Sequence, residues 1–378
     1  QFIKSYESDI RNPHIHCVSI KLSSLCSTLY PLGELYSHSI LVERLSHLFD
    51  LAQSQNTAIM IDMEEFRYAY FTLDVFKAAL GSDQFKTLDV GIVIQAYLKD
   101  SLKMYQHLYE WAKQRVDLGA SPIQVRLVKG ANLQMESIDT SIYGWESPLY
   151  TSKRDVDSNF KRLIQLSLSQ TYTAVIRVGI GSHNLFDLAF AYELAKENNV
   201  LDTIRFELLE GVANHIGRTI QRESVSVLFY TPVSSDDQFV HSIGYLFRRF
   251  DEHTSKKHFL RHLFNLSVGS EEWDRLKVDF LDSISAIPEL KSSLYSHRFI
   301  EDYQSIDIMV PFRNESITDW RYPKNRTWAI AIRDKWRFSK TRIPISYTLC
   351  PSKKNRSIAS FYDRSLSDPP LIFNVELA

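Results

Sequence analysis

Four polar side chains in the second half of the chain have the spacing of one helix face. Tyr245, Arg248, Arg249 and Glu252 stand at positions i, i+3, i+4 and i+7, which meet on one side of a helix. The apolar residues around them fall on the opposite side, by which the helix would pack. Two adjacent guanidiniums offer forked donors suited to a carboxylate. A solvated helix face with weak Arg–Glu pairs is the alternative for this stretch taken alone.

A second set of polar residues stands at or just past the ends of predicted strands, where α/β barrels place their chemistry. Arg126 lies inside an apolar run, and a charge there is costly unless a ligand or a carboxylate meets it. Gly130 permits close approach of a ligand to the backbone. Ser182 is predicted to cap the following helix, whose N-terminus could meet a phosphate. The set comprises Lys21, Asp62, Glu64, Glu65, Gln95, Arg126, Lys129, Ser182, His183, Asn184, Glu207, Glu210 and Tyr230.

The elements that must position these residues are short runs dense in Val, Ile and Phe, typical of strands buried on both faces. Helical segments separate them, and seven strand–helix repeats indicate a (β/α)8 barrel. An open doubly wound sheet is the alternative, but the sequence contains no G-x-G-x-x-G turn. The eighth strand is not evident. We predict strands at 17–21, 58–62, 91–96, 124–128, 175–180, 204–208 and 225–230, and helices at 42–52, 99–118, 155–168 and 185–198.

The composition is that of a globular protein and excludes several function classes. Of 378 residues, 44% are hydrophobic and 24% charged, and a net charge of −1 gives no indication of nucleic-acid binding. Three cysteines without metal-like spacing predict neither a metal site nor a disulfide framework, and favour a reducing compartment. No apolar run is long enough to predict a membrane span. The first residues do not resemble a signal peptide and are interpreted as an internal cut from a longer chain.

Several motifs stand in one order along residues 15 to 268. They are Val125-Arg-Leu-Val-Lys-Gly-Ala-Asn-Leu, Gly144-Trp145, Tyr150-Thr-Ser-Lys153, Ser182-His-Asn, Tyr230-Thr-Pro-Val and Tyr245-x-x-Arg248-Arg249-x-x-Glu252. Together they resemble the proline dehydrogenase domain of bacterial bifunctional proline utilization A. The resemblance implies an α/β fold, a distorted (βα)8 TIM-like barrel with a C-terminal helical or irregular extension. It also implies FAD as cofactor, oxidation of L-proline to Δ1-pyrroline-5-carboxylate, and a membrane quinone as electron acceptor.

The resemblance implies a role for each matching residue in holding the substrate. Arg248 and Arg249 would clamp the proline carboxylate with the help of Lys21, and Glu252 would hold the two arginines in place. Aromatic residues would pack against the pyrrolidine ring, above an apolar floor. The residues implied in substrate binding or catalysis are Lys21, Asp62, Arg126, Leu127, Tyr230, Tyr245, Arg248, Arg249 and Glu252.

The cofactor residues follow from the same resemblance. Arg126 and Gln95 would contact the isoalloxazine edge, where a cation can stabilise the reduced ring. The Ser182–His183–Asn184 stretch would lie near the phosphate–adenosine half. The implied FAD-binding residues are Gln95, Arg126, Val128, Lys129, Gly130, Lys153, Ser182, His183 and Asn184.

We predict three regions: a barrel at 1–268, a helical linker at 269–310, and the incomplete beginning of an aldehyde dehydrogenase-like region at 311–378. The parent chain would then carry an aldehyde dehydrogenase domain. By this resemblance we expect the family's N-terminal helical cover to be absent from this chain, and its loss to weaken FAD retention. The expected location is cytoplasmic, with peripheral attachment at the inner membrane. Three alternatives remain: a barrel that has lost FAD, a module that binds proline without oxidising it, and a barrel that oxidises hydroxyproline.

Overall fold

The computed structural model divides the chain into two compact units, Gln1–Ile317 and Thr318–Ala378. The predicted boundaries at residues 268 and 310 stay predictions. The structure describes residues 2–27, 29–30, 33–212, 214–233, 239–240, 242–244, 247, 259–263, 266–291, 316–335, 346–350 and 356–361.

Seven parallel strands form one sheet in sequential order, each hydrogen-bonded to the strand that follows it along the chain. All seven predicted strands are confirmed, and no end differs by more than one residue. With helices between successive strands, this order confirms the predicted α/β barrel architecture. No eighth strand of this sheet lies within the described residues. The strands are β1 (Cys17–Ile20), β2 (Ala58–Ile61), β3 (Val90–Gln95), β4 (Ile123–Val128), β5 (Ile176–Gly181), β6 (Ile204–Leu209) and β7 (Ser226–Tyr230).

Helices connect these strands, and three of the four predicted helices match the observed ones to within two residues. The fourth, predicted at 42–52, is much longer because its apolar pattern continues between Gly33 and Asn56, which ends it at a φ of 55°. The helices of this unit are α1 (Phe2–Arg11), α2 (Leu22–Leu25), α3 (Glu34–Gln55), α4 (Phe66–Leu80), α5 (Ser101–Asp117), α6 (Leu133–Tyr143), α7 (Lys153–Ser167), α8 (Gln170–Thr173), α9 (Leu185–Glu197), α10 (Asn214–Arg222), α11 (Leu260–Leu263) and α12 (Glu271–Ser285).

The two faces of the sheet differ in chemistry. On the outer face, the register aligns Ile94, Leu127, Ile180 and Phe206, and all four side chains are buried in the core between sheet and helices. The alternate residues turn to the inner face. There Arg126 on β4 aligns with Gly179 on β5 and, through it, with Arg205 on β6. The apolar core therefore surrounds the sheet, while its interior holds charges.

The second unit has one described helix and one described hairpin. Helix α13 spans Pro323–Lys335, and strands β8 (Ser346–Cys350) and β9 (Arg356–Phe361) pair antiparallel. Arg321 is buried before α13, with Nη2 2.6 Å from an oxygen of Asp319. The assignment of 311–378 to an aldehyde dehydrogenase-like region stays a prediction. Among the helices that the structure describes, none combines the length and apolar character that a membrane-spanning segment requires.

Helix α6 reverses the usual distribution of polar and apolar residues. Its buried side chains are Glu136 and Thr140, whereas Ile142 is 70% exposed. The Glu136 carboxylate accepts a hydrogen bond from the backbone N–H of Phe66 (2.5 Å) at the first residue of α4. A carboxylate is favourable there because the first N–H groups of a helix lack intrahelical partners. A buried polar contact therefore fixes α6 to α4.

We expect Glu136→Ala to lower the free energy of unfolding by about 1–3 kcal/mol, because the substitution leaves the buried N–H of Phe66 without this acceptor. The control on the same helix is Ile142→Ala, which removes an exposed side chain and should change stability by less than about 0.5 kcal/mol. Urea denaturation followed by circular dichroism measures both. Equal losses in the two variants would contradict the assigned role of Glu136.

Candidate functional site

Arg126 points into the barrel interior, where one carboxylate on another strand and one just past a strand end meet it. Its Nε donates to Oε2 of Glu207 on β6 (2.6 Å), and its Nη1 donates to Oδ1 of Asp62, the residue after β2 (2.9 Å). Burial alone would lower the pKa of Arg126, but the nearby Glu207 and Tyr230, and then Asp62, raise it. The sequence-based expectation that a ligand or a carboxylate meets Arg126 is thereby confirmed by two carboxylates.

Glu207 joins the two arginines of this cluster, Arg126 and Arg205. While Oε2 accepts from Arg126, Oε1 accepts from Nη2 (2.8 Å) and Nε (3.2 Å) of Arg205. Its side chain is only 1% exposed. Burial would raise the pKa of this carboxyl, but the charges of Arg126 and then Arg205 outweigh it and lower the pKa. Glu207 is therefore a buried carboxylate that remains ionised.

Gly179 makes room for this carboxylate. It lies between Arg126 and Arg205 in the register of the sheet, and a Cβ on it would come 2.0 Å from Oε1 of Glu207. Such a contact is not possible between non-bonded atoms. Because Gly179 has no side chain, β5 leaves the space through which Glu207 reaches both arginines.

Tyr230, at the end of β7, covers the other side of Arg126. The guanidinium carbon lies 4.1 Å from the centroid of the phenol ring, a cation–π contact. The Tyr230 hydroxyl is 3.5 Å from the Cys17 sulfur of β1, so the first and seventh strands approach each other inside the barrel. Burial, and next the Glu207 charge, raises the pKa of Tyr230, and burial raises that of Cys17.

Two buried polar atoms near the carboxyl ends of β3 and β4 have no hydrogen-bond partner within the described part of the chain. One is Nη2 of Arg126, and the other is Oε1 of Gln95, on the neighbouring strand β3. The amide nitrogen of Gln95 donates to the carbonyls of Met63 and Glu64, both at 3.2 Å, which fixes the orientation of the amide. A buried donor and a buried acceptor without partners are costly unless a ligand satisfies them.

A second charged cluster lies where Lys129 follows β4. Its Nζ is 2.5 Å from Oδ1 of Asp157 on α7 and 2.7 Å from Oδ2 of Asp187 on α9. Lys153 pairs with Asp157 as well, and the buried Lys161 lies 3.1 Å from Oδ1 of Asp187. Burial would lower the pKa of Lys129, but Asp157 and then Asp187 raise it. These five side chains form a network that links the end of β4 to two helices; Asp157, Asp187 and Lys161 are buried, Lys129 is partly exposed and Lys153 is exposed.

The stretch Ser182–Asn184 leads from β5 into α9, and the N-cap prediction is wrong by two residues. The cap is Asn184, whose side chain accepts from the backbone N–H of Phe186 (3.0 Å). Ser182 instead accepts from the N–H of Asn184 (3.1 Å) and donates to Asp187 (3.4 Å). His183 accepts at Nε2 from the backbone N–H of Leu209 (3.1 Å), at the end of β6. The three side chains therefore shape the turn at the start of α9.

The remaining predicted site residues are dispersed around this edge or lie apart from it. Lys21 is exposed at the end of β1, and Val128 is partly exposed on the inner face, in register with Gln95. Gly130 has a φ of +117°, and a Cβ on it would lie 2.6 Å from the ring of Tyr97, so glycine is required there. Leu127 is fully buried on the outer face, and the structure does not bring it together with Arg126.

The four residues of the predicted clamp, Tyr245, Arg248, Arg249 and Glu252, lie outside the described residues. Their roles stay predictions.

Most of the buried charges at this site have no role predicted from the sequence. Glu207 stood in that set without a role, and Arg205 was not in it, although both lie in an apolar strand at a spacing that puts them on one face. Asp187 likewise stands alone in an apolar helical run. The signal that identified Arg126, a charge within an apolar run, was present at these positions too.

A family model described as proline dehydrogenase matches residues 3–262. The chain belongs to the proline dehydrogenase family. Proline dehydrogenase 2 of Bacillus subtilis (strain 168) is 28% identical over 240 residues, which cover 63% of this chain and 66% of that protein. The bifunctional protein PutA of Escherichia coli (strain K12) is 26% identical over 270 residues, 68% of this chain and 19% of that protein.

A solved structure of proline utilization A from Corynebacterium freiburgense extends the similarity beyond the family model. It superposes with a TM-score of 0.74 at 31% identity, and the match covers 87% of this chain and 31% of that one. The resemblance predicted from the sequence motifs is confirmed. The chain spans slightly less than two thirds of the Bacillus proline dehydrogenase and a smaller share of the bifunctional proteins.

We expect Asp187→Asn to destabilise the fold by about 3–5 kcal/mol, because it removes one partner of a buried network and leaves Lys129 and Lys161 less compensated. Asp187 is 0% exposed, so water does not reach this position to solvate the ammonium groups that lose their partner. The matched control is Glu193→Gln, an exposed carboxylate on the same helix, which should change stability by less than about 0.5 kcal/mol. Urea unfolding of both variants measures the difference. A loss for Asp187→Asn no larger than for the control would contradict the energetic role of the network.

Proposed function

We propose that this chain is an FAD-dependent proline dehydrogenase that oxidises L-proline to Δ1-pyrroline-5-carboxylate. Family membership supports the reaction class. The observation that carries the proposal at the level of the site is the buried guanidinium of Arg126. Two carboxylates and an aromatic ring fix it, and its Nη2 remains available to a ligand.

The residues at the ends of β3 and β4 fit a flavin. Nη2 of Arg126 is a buried donor and Oε1 of Gln95 a buried acceptor, and both lack partners within the described residues. The edge of an isoalloxazine ring offers both hydrogen-bond acceptors and a donor. FAD bound here would supply the two-electron acceptor for the hydride that leaves C5 of proline, and a quinone would be the later acceptor of the electrons. A cation fixed at this edge stabilises negative charge on the reduced ring.

The second cluster fits the phosphate half of the cofactor. Three ammonium groups and two carboxylates leave one net positive charge beside the N-terminus of α9, and both features favour an anion. Lys129, Lys153 and the Ser182–His183–Asn184 turn would line this half. Gly130 and Val128 would line the passage between the two halves.

On the substrate side, Arg248 and Arg249 would hold the proline carboxylate, with Lys21 at the exposed end of β1 and Glu252 behind the arginines. Tyr230 and Tyr245 would pack against the pyrrolidine ring of proline. Asp62 contributes a carboxylate to this side of the cluster while it pairs with Arg126. The chemistry then requires position more than acid–base groups, since C5 must be held against the cofactor.

The purified protein is expected to show the flavin absorption band near ~450 nm and to lose it on anaerobic addition of L-proline. The bleaching would demonstrate cofactor, substrate and hydride transfer in one spectrum. A flavin reduced by hydroxyproline and not by proline would support a hydroxyproline-oxidising barrel instead. A flavin that stays oxidised, or a colourless protein that FAD does not reconstitute, would contradict the proposal.

Arg248→Met and Arg249→Met are each expected to raise KM for proline at least tenfold, because a charged hydrogen bond to the carboxylate is lost. FAD content, measured from the absorption spectrum, should stay unchanged. Arg218→Met, which removes an exposed arginine of α10, is the control for loss of one positive charge. Unchanged proline kinetics in both clamp variants would disprove the clamp.

A further inference from the structure

We propose that Glu207 is a positioning residue that aims the guanidinium of Arg126 at the flavin. We propose further that Arg205 partly neutralises the negative charge that Glu207 places behind this guanidinium. The inference rests on the proposed FAD site. It assigns a purpose to the buried carboxylate of Glu207 and to the partly buried Arg205, neither of which the proposed substrate and cofactor contacts use.

The first step is the geometry of the guanidinium. Of its three nitrogens, Nε donates to Glu207 and Nη1 donates to Asp62, so Nη2 is the nitrogen that remains for a ligand. The contact at Nε holds the plane of the group from behind, and Tyr230 holds it from one face. Removing Glu207 would therefore release the rotation that aims Nη2.

The second step is the space that Glu207 occupies. Gly179 separates Arg126 and Arg205 in the register, and the carboxylate enters the gap where a β5 side chain would otherwise stand. Both of its oxygens are bonded to arginines, and the side chain is almost completely buried. A carboxylate held in this way cannot turn towards the substrate, so its effect must pass through Arg126.

The third step is the charge balance. The charges of Arg126, Arg205, Asp62 and Glu207 sum to zero, so every single neutralisation leaves one uncompensated charge in the cluster around Arg126. Charges in such a site interact strongly because little water screens them. Reduced flavin is more negative than oxidised flavin when it is held as the anion. The potential of the bound cofactor must then rise when Glu207 is neutralised and fall when Arg205 is neutralised.

The experiment is a spectroelectrochemical titration of the purified holoprotein, comparing Glu207→Gln and Arg205→Gln with the wild type. We expect the preference of the site for reduced over oxidised FAD to increase about tenfold in Glu207→Gln and to decrease about tenfold in Arg205→Gln. For a two-electron couple a tenfold change is about 30 mV, upward in the first variant and downward in the second. Asp202→Asn, an exposed carboxylate at the opposite end of β6, should leave the potential unchanged.

A purely structural role would lower stability or FAD affinity in both variants but would not shift the potential in opposite directions. Shifts of the same sign, or shifts no larger than in Asp202→Asn, would overturn the inference. If Glu207→Gln does not fold, Arg205→Gln decides alone: a lowered potential supports the inference, and an unchanged or raised one refutes it.

Gly179→Ala provides an independent route to the same test. Its Cβ would displace the Glu207 carboxylate without removing any charge, while Gly33→Ala, where nothing lies within 4 Å, is the control for adding a methyl group. We expect Gly179→Ala to weaken FAD binding by about tenfold, measured by titration of the apoprotein, and Gly33→Ala to leave it unchanged. Equal affinities would contradict the positioning role. A wild-type protein that binds no FAD would refute the proposed function itself, a result distinct from a flavoprotein whose variants do not shift.

Discussion

The structure depends on one constraint, a guanidinium held inside a parallel sheet. Arginine cannot lose its proton in a protein, so the barrel must supply compensating charge around Arg126. It does so with Glu207 from β6 and Asp62 after β2. Gly179 has no side chain, which leaves the space through which Glu207 reaches Arg126. The guanidinium of Arg126 thereby joins elements that are distant in sequence through the barrel interior. The same guanidinium has one nitrogen that remains for a ligand.

The network around Lys129 also combines a cation, here one that directly follows β4, with carboxylates from other elements. Asp157 on α7 and Asp187 on α9 meet the ammonium group that follows β4, so the helices are fixed to the carboxyl edge of the sheet by charge as well as by apolar packing. Buried ion networks of this kind contribute little net stability compared with apolar packing, but breaking them is costly. The network fixes the position of cations at the edge where we propose that the phosphates of the cofactor bind.

Much of this was readable from the sequence. The seven strands were predicted with ends correct to one residue because strands buried on both faces give continuous apolar runs bounded by polar residues. Arg126 was identified because a charge interrupts such a run. The cap of α9 was misplaced because Ser182 and Asn184 are both good N-cap residues, and only the backbone conformation distinguishes them. The exposed apolar residues of α6 could not be foreseen, since the apolar side of a helix normally packs inward, whereas here the buried side carries Glu136 and Thr140.

The sequence by itself determined the family, the order of strands and helices, and the residue types gathered at the carboxyl edge, because these follow from local patterns and motifs. The tertiary structure decided which charges meet. Arg126 is 64 residues from Asp62 and 81 from Glu207 along the chain, and no local pattern reports such pairs. It also decided that Leu127 faces the outer core while Arg126 faces the interior, since alternation separates neighbours on a strand but the curvature of the sheet defines which side is inside.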